Sequence, residues 1–335
     1  MKVLVTGASG FIGSFLVEKG LELGYDVWAG IRKGSSRRYL SDTRINFVEL
    51  DFSSSAALDA SLSAFKADKG CWDYIIHAAG VTKCTDKKEF MKVNYEGTKN
   101  FADAIARQGM EPRMFVYISS LSVFGPVREE MPYTPIMESD TPMPDTVYGK
   151  SKLLAEEYLK KSAGFPFVIL RPTGVYGPRE RDYFKMAAGI KRHIDFSVGY
   201  RPQTITFIYV KDLVKAAYLA AESGANGRCY FVSEPAGYES RAFSDYIQKE
   251  LGIRRVLHIK APLWVLKTVS LVSGLFSKVT GKPSTLNSDK YRIMKQRNWL
   301  CDTEPLEKEL GFAAEYPLDR GVRETIEWYK KEGWL

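Results

Sequence analysis

Lys2-Val3-Leu4-Val5-Thr6-Gly7-Ala8-Ser9-Gly10-Phe11-Ile12-Gly13 opens the chain and decides its fold. The apolar run from Lys2 to Val5 is too short for a buried helix and right for a buried strand. Thr6 to Gly13 reads as a glycine-rich turn, and Ser14 to Leu23 as an amphipathic helix closed by Gly24. Strand, glycine-rich turn and helix are the setting a dinucleotide fingerprint requires. Glycine permits the tight turn and lets the backbone approach a pyrophosphate, while the helix N-terminus offers unpaired N–H groups and a positive dipole end. Gly7, Gly10, Phe11, Ile12 and Gly13 are therefore candidate cofactor-binding residues.

The second strand, Asp26 to Ile31, runs into Arg32-Lys33-Gly34-Ser35-Ser36-Arg37-Arg38, with no carboxylate before Asp42. An NAD site places an acidic residue near this strand end for the ribose 2′-hydroxyl, whereas a 2′-phosphate favours arginine. A guanidinium grips a phosphate through two parallel hydrogen bonds that a carboxylate would oppose. Arg32 and Lys33 are expected to hold that phosphate. The expected cofactor is NADP, with NAD as the alternative.

Tyr148-Gly149-Lys150-Ser151-Lys152 sets a phenol and an amine four residues apart, on one face of a helix expected to start there. Such a pair stands about 5–6 Å apart at Cβ. A tyrosine ionises near pH 10, and a neighbouring ammonium favours its phenolate. The pair has the chemistry to protonate a carbonyl oxygen or deprotonate a carbinol.

Further motifs follow in order: Leu50-Asp51-Phe52, His77-Ala78-Ala79-Gly80, Val93-Asn94, Val116-Tyr117-Ile118-Ser119-Ser120, Arg171 to Pro178, and Tyr209 to Leu213. With them the chain resembles, over nearly its whole length, the extended branch of the short-chain dehydrogenase/reductase superfamily. The resemblance implies that Asp51 and Phe52 hold the adenine. It implies that Ala78, Ala79 and Gly80 line the cofactor's floor and that Pro172 joins that site. Ser120 would hydrogen-bond the substrate oxygen, Tyr148 would be the acid/base, and Lys152 would bind the nicotinamide ribose and lower the tyrosine pKa. A serine hydroxyl and a phenol together suit a developing alkoxide. Ser119 and Ser122 are alternatives to Ser120, separated from it only by register. His77, beside the cofactor turn, reads as a packed, hydrogen-bonded residue.

The branches differ at a few positions. Dehydratases of this group carry Thr-Asp-Glu where this chain has Ser119-Ser120-Leu121, so dehydration is disfavoured. Many sugar-nucleotide epimerases carry asparagine at Gly174 and arginine at Ile205; Arg179, Arg181 or Arg201 would have to compensate, which lowers the epimerase reading without eliminating it. The segment from Gly24 to Arg32, with Trp299 to Asp302, Glu309 to Phe312 and Trp328-Tyr329, is similar to dihydroflavonol-reductase-type and 3β-hydroxysteroid-dehydrogenase-type chains. The leading implication is an NADP(H)-dependent oxidoreductase interconverting a ketone and a secondary alcohol on an apolar, steroid- or flavanone-like small molecule. A sugar-nucleotide epimerase working through a transient ketone is the second reading. A non-catalytic NADP-binding sensor is the third, opposed by the intact Ser120, Tyr148 and Lys152.

Length, composition and order bound the rest. Strands and helices alternate to about residue 172, which predicts an α/β fold: a doubly wound parallel (Rossmann) sheet with a smaller, mostly helical C-terminal substrate domain. Residues 1–175 with 204–235 are expected to form the dinucleotide domain, and 176–203 with 236–335 the substrate domain. Thr206 to Val210 is expected as a strand of the sheet domain and Leu213 to Ala221 as a helix. The proline-rich loop from Pro126 to Pro144 is either an active-site rim or a plain crossover. From Ala261 to Gly281, Leu263, Val265, Val269, Val272, Phe276 and Val279 recur at helical spacing, with Lys267, Ser270, Ser273 and Ser277 opposite. A core helix, a pocket wall or a membrane-facing surface would each suit that stripe, while a bilayer span would not.

The net charge of +8 forms no aromatic-interleaved stripe, which argues against nucleic acid. Cys71, Cys84, Cys229 and Cys301 have no paired spacing and three histidines stand far apart, so neither disulfide nor metal site is expected. Met1 leads straight into the first strand, which implies no signal peptide and a cytoplasmic protein. The helices near Asn94 and Tyr148 pack as a dimer bundle in related enzymes. Phe101, Ala104 and Ile105, with Leu153, Leu154 and Tyr158, are the residues that would make a homodimer here, or be satisfied within one chain.

Overall fold

The computed structural model describes the backbone of residues 1–280 and 288–335, and the side chains of residues 1–273 and 288–335. Its main sheet holds the strand Lys2–Thr6, paired in parallel with Asp26–Ile31 on one side and Tyr74–His77 on the other. Seven parallel strands follow the order Arg228–Val232, Phe167–Pro172, Met114–Ile118, Tyr74–His77, Lys2–Thr6, Asp26–Ile31, Asn46–Glu49. Alternate side chains leave opposite faces of a strand. Val3 and Val5 accordingly pack in one core with the helices Phe11–Glu22 and Val210–Glu222, and Leu4 in a second core with Ser55–Lys69, Gly97–Arg107 and Val147–Ser162. Helices on both faces bury both, which is why these strands are apolar at nearly every position. The doubly wound sheet is the predicted fold.

The chain starts at the third strand from one edge, builds outward to that edge at Asn46–Glu49, then crosses back to Tyr74–His77, the middle strand. The crevice between Lys2–Thr6 and Tyr74–His77, at their C-terminal ends, is the topological switch point where open α/β sheets bind ligands. The first helix begins at Phe11, three residues earlier than its pattern indicates, with Gly10 as its N-cap. The glycines that read as turn are thus partly the first helical turn.

Phe207–Tyr209 does not join the main sheet; it pairs with Gly174–Tyr176 in a parallel two-stranded ribbon. The reason is its two apolar faces: Ile208 packs in the sheet's core, Phe207 and Tyr209 in a third core with Tyr176, Phe243, Leu318 and Tyr329. Two further ribbons pair Thr204–Ile205 with Tyr238–Glu239 and Ile194–Val198 with Leu257–Ala261. Helices Arg181–Lys191, Ala242–Leu251 and Leu318–Lys331 complete this smaller part, whereas Leu306, Leu310 and Phe312 return to the sheet's core.

Helix Leu263–Thr280 turns Ser270 and Leu266 inward and leaves Trp264, Val269, Leu271 and Val272 exposed. Ser270 thus points inward although Lys267 on the same face is exposed, and in the described part this is not a core helix. Phe276, Val279, Leu275 and Ser277 lie outside the described side chains. Among the described residues no helix is long and apolar enough to cross a membrane. Phe101, Ala104 and Ile105 are buried within the single chain, with Tyr158 packed against them. Leu153 packs beside Leu121 and Phe124.

Candidate active site

The glycine turn and the Ala78–Gly80 turn lean on one another at the switch point. Gly7 has φ +66°, and a Cβ there would lie 2.8 Å from the Ala78 carbonyl. A Cβ on Gly13 would lie 2.0 Å from the Gly7 oxygen, so only glycine fits. Gly10 caps the helix without any side-chain bond, which leaves the first helical amides facing the cradle. Bare amides, a close backbone approach and a positive dipole end suit a pyrophosphate.

Beneath this cradle runs a directed chain of hydrogen bonds. Thr98 Oγ1 donates its one proton to Asn94 O at 2.8 Å, so at 3.1 Å it accepts from His77 Nε2–H. His77 Nδ1 then accepts from Thr6 Oγ1 at 2.8 Å, and Thr6 Oγ1 accepts from Ala79 N at 3.3 Å. Burial, reinforced by the Lys152 charge, holds the imidazole down to about pKa 3. His77 is neutral and structural, as its place in the sequence implied. Asn94 lies in a π-helical turn, Met91–Glu96, that projects its amide onto the floor. Its Oδ1 accepts from Val81 N at 2.8 Å, and its Nδ2 donates to Val81 O and Ser151 Oγ, both at 3.0 Å. The Val93-Asn94 pair was legible as a motif, but this brace was not.

At the other end, Arg32 and Lys33 are exposed beside the cradle. Asp51 is held by Ser53, whose hydroxyl and amide donate to Oδ1 at 2.6 and 3.0 Å, and these bonds, then the charges of Lys92 and Arg32, lower its pKa. The Phe52 ring sits edge-on to His77 at 5.6 Å and to Phe101 at 5.2 Å.

The sheet brings Ser120, Tyr148 and Lys152 together from the end of strand Met114–Ile118 and the start of helix Val147–Ser162, which Thr146 caps through Gly149 N. Lys152 Nζ donates to Ile118 O at 2.8 Å and lies 4.7 Å over the Tyr117 ring. Burial pulls its pKa down to about 8, against the raising effect of Glu156 one helical turn on. Burial raises the Tyr148 phenol, and its hydrogen bond with Ser120 draws it back. Ser119 and Ser120 face opposite ways. The Ser119 hydroxyl donates to Glu156 and is buried, while Ser120 and Ser122 border a cavity. Glu156 also holds Arg171, with Nη2 to Oε2 at 2.6 Å. Neither charge of this buried pair announced itself in the sequence.

The cavity, about 360 Å³, extends from Ser120 and Pro172 into the smaller part of the chain. Met186, Phe196, Ile205, Phe207, Phe243 and Trp299 make its wall mostly apolar. The one charged lining residue among those described, Lys290, is paired with Asp182 at 3.7 Å. A Cβ on Gly174 would meet the Tyr183 hydroxyl at 2.7 Å, so an asparagine there would have to displace the Tyr183 side chain. Arg179 is turned away onto the first helix, its Nη1 on Ser14 Oγ at 2.8 Å and Nη2 on Glu18 Oε1 at 2.6 Å. Arg181 is exposed beside Trp334, and Arg201 is exposed; none of the three lines the cavity. The loop from Pro126 to Pro144 does not line it either, and instead packs on residues 298–302 through Ile136 and Asn298. Among the described residues no three His, Cys, Asp or Glu side chains converge as metal ligands.

Residues 3–232 match the model of the NAD dependent epimerase/dehydratase family. The chain is 23% identical over 334 residues to a ceramide reductase of Caulobacter vibrioides, covering 99% of this chain and 96% of that one. It is 23% identical to a decarboxylating sterol-4-alpha-carboxylate 3-dehydrogenase of Saccharomyces cerevisiae, covering 97% of each. The crystal structure of UDP-glucose 4-epimerase from Thermotoga maritima with UDP-glucose superposes with a TM-score of 0.76 at 21% identity, over 99% of both chains, which bears on the fold. Family match, switch-point cradle and sheet order agree: the chain is an NAD(P)-dependent enzyme of the NAD dependent epimerase/dehydratase family, in the extended branch of the short-chain dehydrogenase/reductase superfamily.

Proposed function

We propose that the enzyme is an NADP(H)-dependent oxidoreductase interconverting a ketone and a secondary alcohol on an apolar small molecule. The observation that carries this is the cavity beside Ser120. Among the described residues its apolar wall holds no arginine, and Gly174 and Ile205 stand where a nucleotide-sugar site wants polar and charged groups. A diphosphate entering it would lose water without gaining a charge-assisted partner, a contact of roughly 1.5–3 kcal/mol. The names of the two relatives above, a ceramide reductase and a sterol-4-alpha-carboxylate dehydrogenase, likewise point to largely apolar lipid skeletons.

In this reading Gly7, Gly10, Phe11, Ile12 and Gly13 cradle the pyrophosphate. Arg32 and Lys33 take the 2′-phosphate, and Asp51 and Phe52 flank the adenine. Ala78, Ala79, Gly80 and Pro172 line the floor. When bound, the cofactor supplies or accepts the hydride. Ser120 Oγ holds the substrate oxygen, and Tyr148 Oη gives it a proton during reduction or takes one during oxidation. Lys152 Nζ, freed from Ile118 O, turns to the ribose and favours the phenolate against the cost of burial. Substrate in the cavity excludes water and strengthens each of these interactions.

Absorbance of NADPH in the presence of apolar ketones, including 3-oxosteroids and flavanones, tests the proposal, with UDP-sugars run in parallel. Consumption with a ketone is the expected result. Interconversion of a UDP-sugar without net consumption would replace it with epimerisation.

A further inference from the structure

One surface of the smaller part is built inside out. The ribbon of Ile194–Val198 and Leu257–Ala261 sets Ile194 opposite Leu257 and Phe196 opposite Ile259. Alternation puts these four on one face, and Asp195 and His258 on the other. Asp195 is buried and bonded to His258 Nδ1 at 3.0 Å, while His258 is itself exposed, so the one side chain the ribbon buries fully here is a carboxylate and not an apolar group. The apolar face stands in water, with Phe196 65% and Leu257 64% exposed.

The second strand leads through Pro262 into helix Leu263–Thr280, which repeats the inversion. Ser270 is 2% exposed, whereas Trp264 and Val272, two turns apart on one face, are 71% and 61% exposed. Tyr200 adds an exposed ring, donating from its hydroxyl to Lys260 O at 3.3 Å. Single exposed apolar side chains are ordinary, but a run of them on adjoining elements marks a contact surface.

Charge selects the contact. Residues 191–201 and 254–267 carry Lys191, Arg192, Arg201, Arg254, Arg255, Lys260 and Lys267 against one carboxylate, the inward Asp195. All seven cations are exposed, and none is ion-paired within 4.0 Å among the described residues. Apolar side chains rimmed by unpaired lysine and arginine match an anionic lipid interface, where the rings and aliphatic groups enter the headgroup boundary and the cations meet lipid phosphates. The surface is also continuous with the cavity, since Phe196 and Val198 line it.

We infer that this face docks on an anionic bilayer, and that the cavity takes its substrate, a membrane-resident lipid ketone or alcohol, from that bilayer. The substrate half of the inference rests on the proposed function; the docking half does not. Attachment is peripheral.

The test uses the whole purified chain with phosphatidylcholine vesicles, with and without phosphatidylglycerol. Sedimentation with the anionic vesicles, weakened by salt, is expected, as is quenching of tryptophan fluorescence by brominated lipid that Trp264→Phe removes. Trp264→Asp with Val272→Asp should cut the bound fraction about tenfold or more while leaving melting temperature and turnover of a water-soluble ketone unchanged. Arg254→Glu with Arg255→Glu should weaken binding without touching an apolar residue. Failure of the wild-type chain to bind anionic vesicles overturns the inference, as does binding that both double variants retain. A dimer that Trp264→Asp dissolves would overturn it in favour of a second copy on this face. Vesicle binding without turnover of any ketone supports docking and refutes the oxidoreductase reading; turnover without vesicle binding refutes docking alone.

Discussion

Glu156 and Arg171 face each other from a helix and its neighbouring strand with both charged groups out of water, Nη2 and Oε2 2.6 Å apart. Arg171 Nε adds two contacts at 3.1 Å, and the Ser119 hydroxyl occupies the same carboxylate. Breaking such a pair leaves an uncompensated buried charge, at a cost of about 3–5 kcal/mol. Glu156→Gln should lower stability by that order in urea denaturation. Pairing Glu156→Leu with Arg171→Met should lower it much less. Because the Glu156 charge raises the Lys152 pKa, Glu156→Gln should also move Lys152 further below its value of about 8, shifting any pH profile that follows Lys152 toward lower pH.

Tyr148→Phe should keep cofactor affinity and reduce turnover by about 10²–10⁴-fold, as removal of a general acid/base does. Ser120→Ala should likewise lower turnover with little change in melting temperature. Ser119→Ala should do the reverse, because its hydroxyl serves Glu156. Single-turnover kinetics and thermal melts on the three variants check the division.

Arg32→Asp should shift preference from NADPH toward NADH by about tenfold or more, the equivalent of one charge-assisted phosphate contact. Titration of both cofactors against the variant measures it. An unchanged ratio would remove Arg32 from the phosphate site.

Ile205→Arg places a guanidinium in the cavity wall, where the described lining holds no carboxylate to pair with it. An unpaired charge there opposes an apolar ligand, so KM for an active ketone should rise about tenfold or more while cofactor affinity stays constant. Steady-state kinetics with cofactor held saturating separate the two.

Burial raises the Glu234 carboxyl to about pKa 7, although Tyr238 Oη and Leu318 N donate to its Oε2 at 2.9 and 3.1 Å. A folded pKa above the unfolded value gives stability that is full below about pH 4.5 and lost as pH rises through about 7. Glu234→Gln, which retains an acceptor oxygen, should therefore be more stable than the wild-type chain at pH 8 by about 1–3 kcal/mol, and no more stable at pH 5. Denaturation at the two pH values checks the sign.

The elements most legible in the sequence are those decided by local pattern. Asp26–Ile31 has the predicted bounds, and the cradle and the Tyr148–Lys152 face follow from glycine placement and helical spacing. What escaped was decided at long range. Nothing near Phe207 says that its partner is Gly174–Tyr176 rather than the main sheet. Nothing near Arg179 says that it will turn to Ser14, 165 residues away. The apolar stripe of helix Leu263–Thr280 says nothing of its own about the burial of Ser270 or the exposure of Trp264 and Val272, because amphipathic pattern fixes which residues share a face but not which way that face points.

The glycine turn at residues 7–13 and the Ala78–Gly80 turn it leans on both fall before residue 81, whereas much of the cavity wall comes from residues 172–299. The two halves of the site are thus written in separate stretches of gene. Mutations confined to the cavity wall, such as at Met186 or Phe243, can therefore reshape what is bound while leaving the residues of the glycine turn and the Arg179 brace on Ser14 as they are.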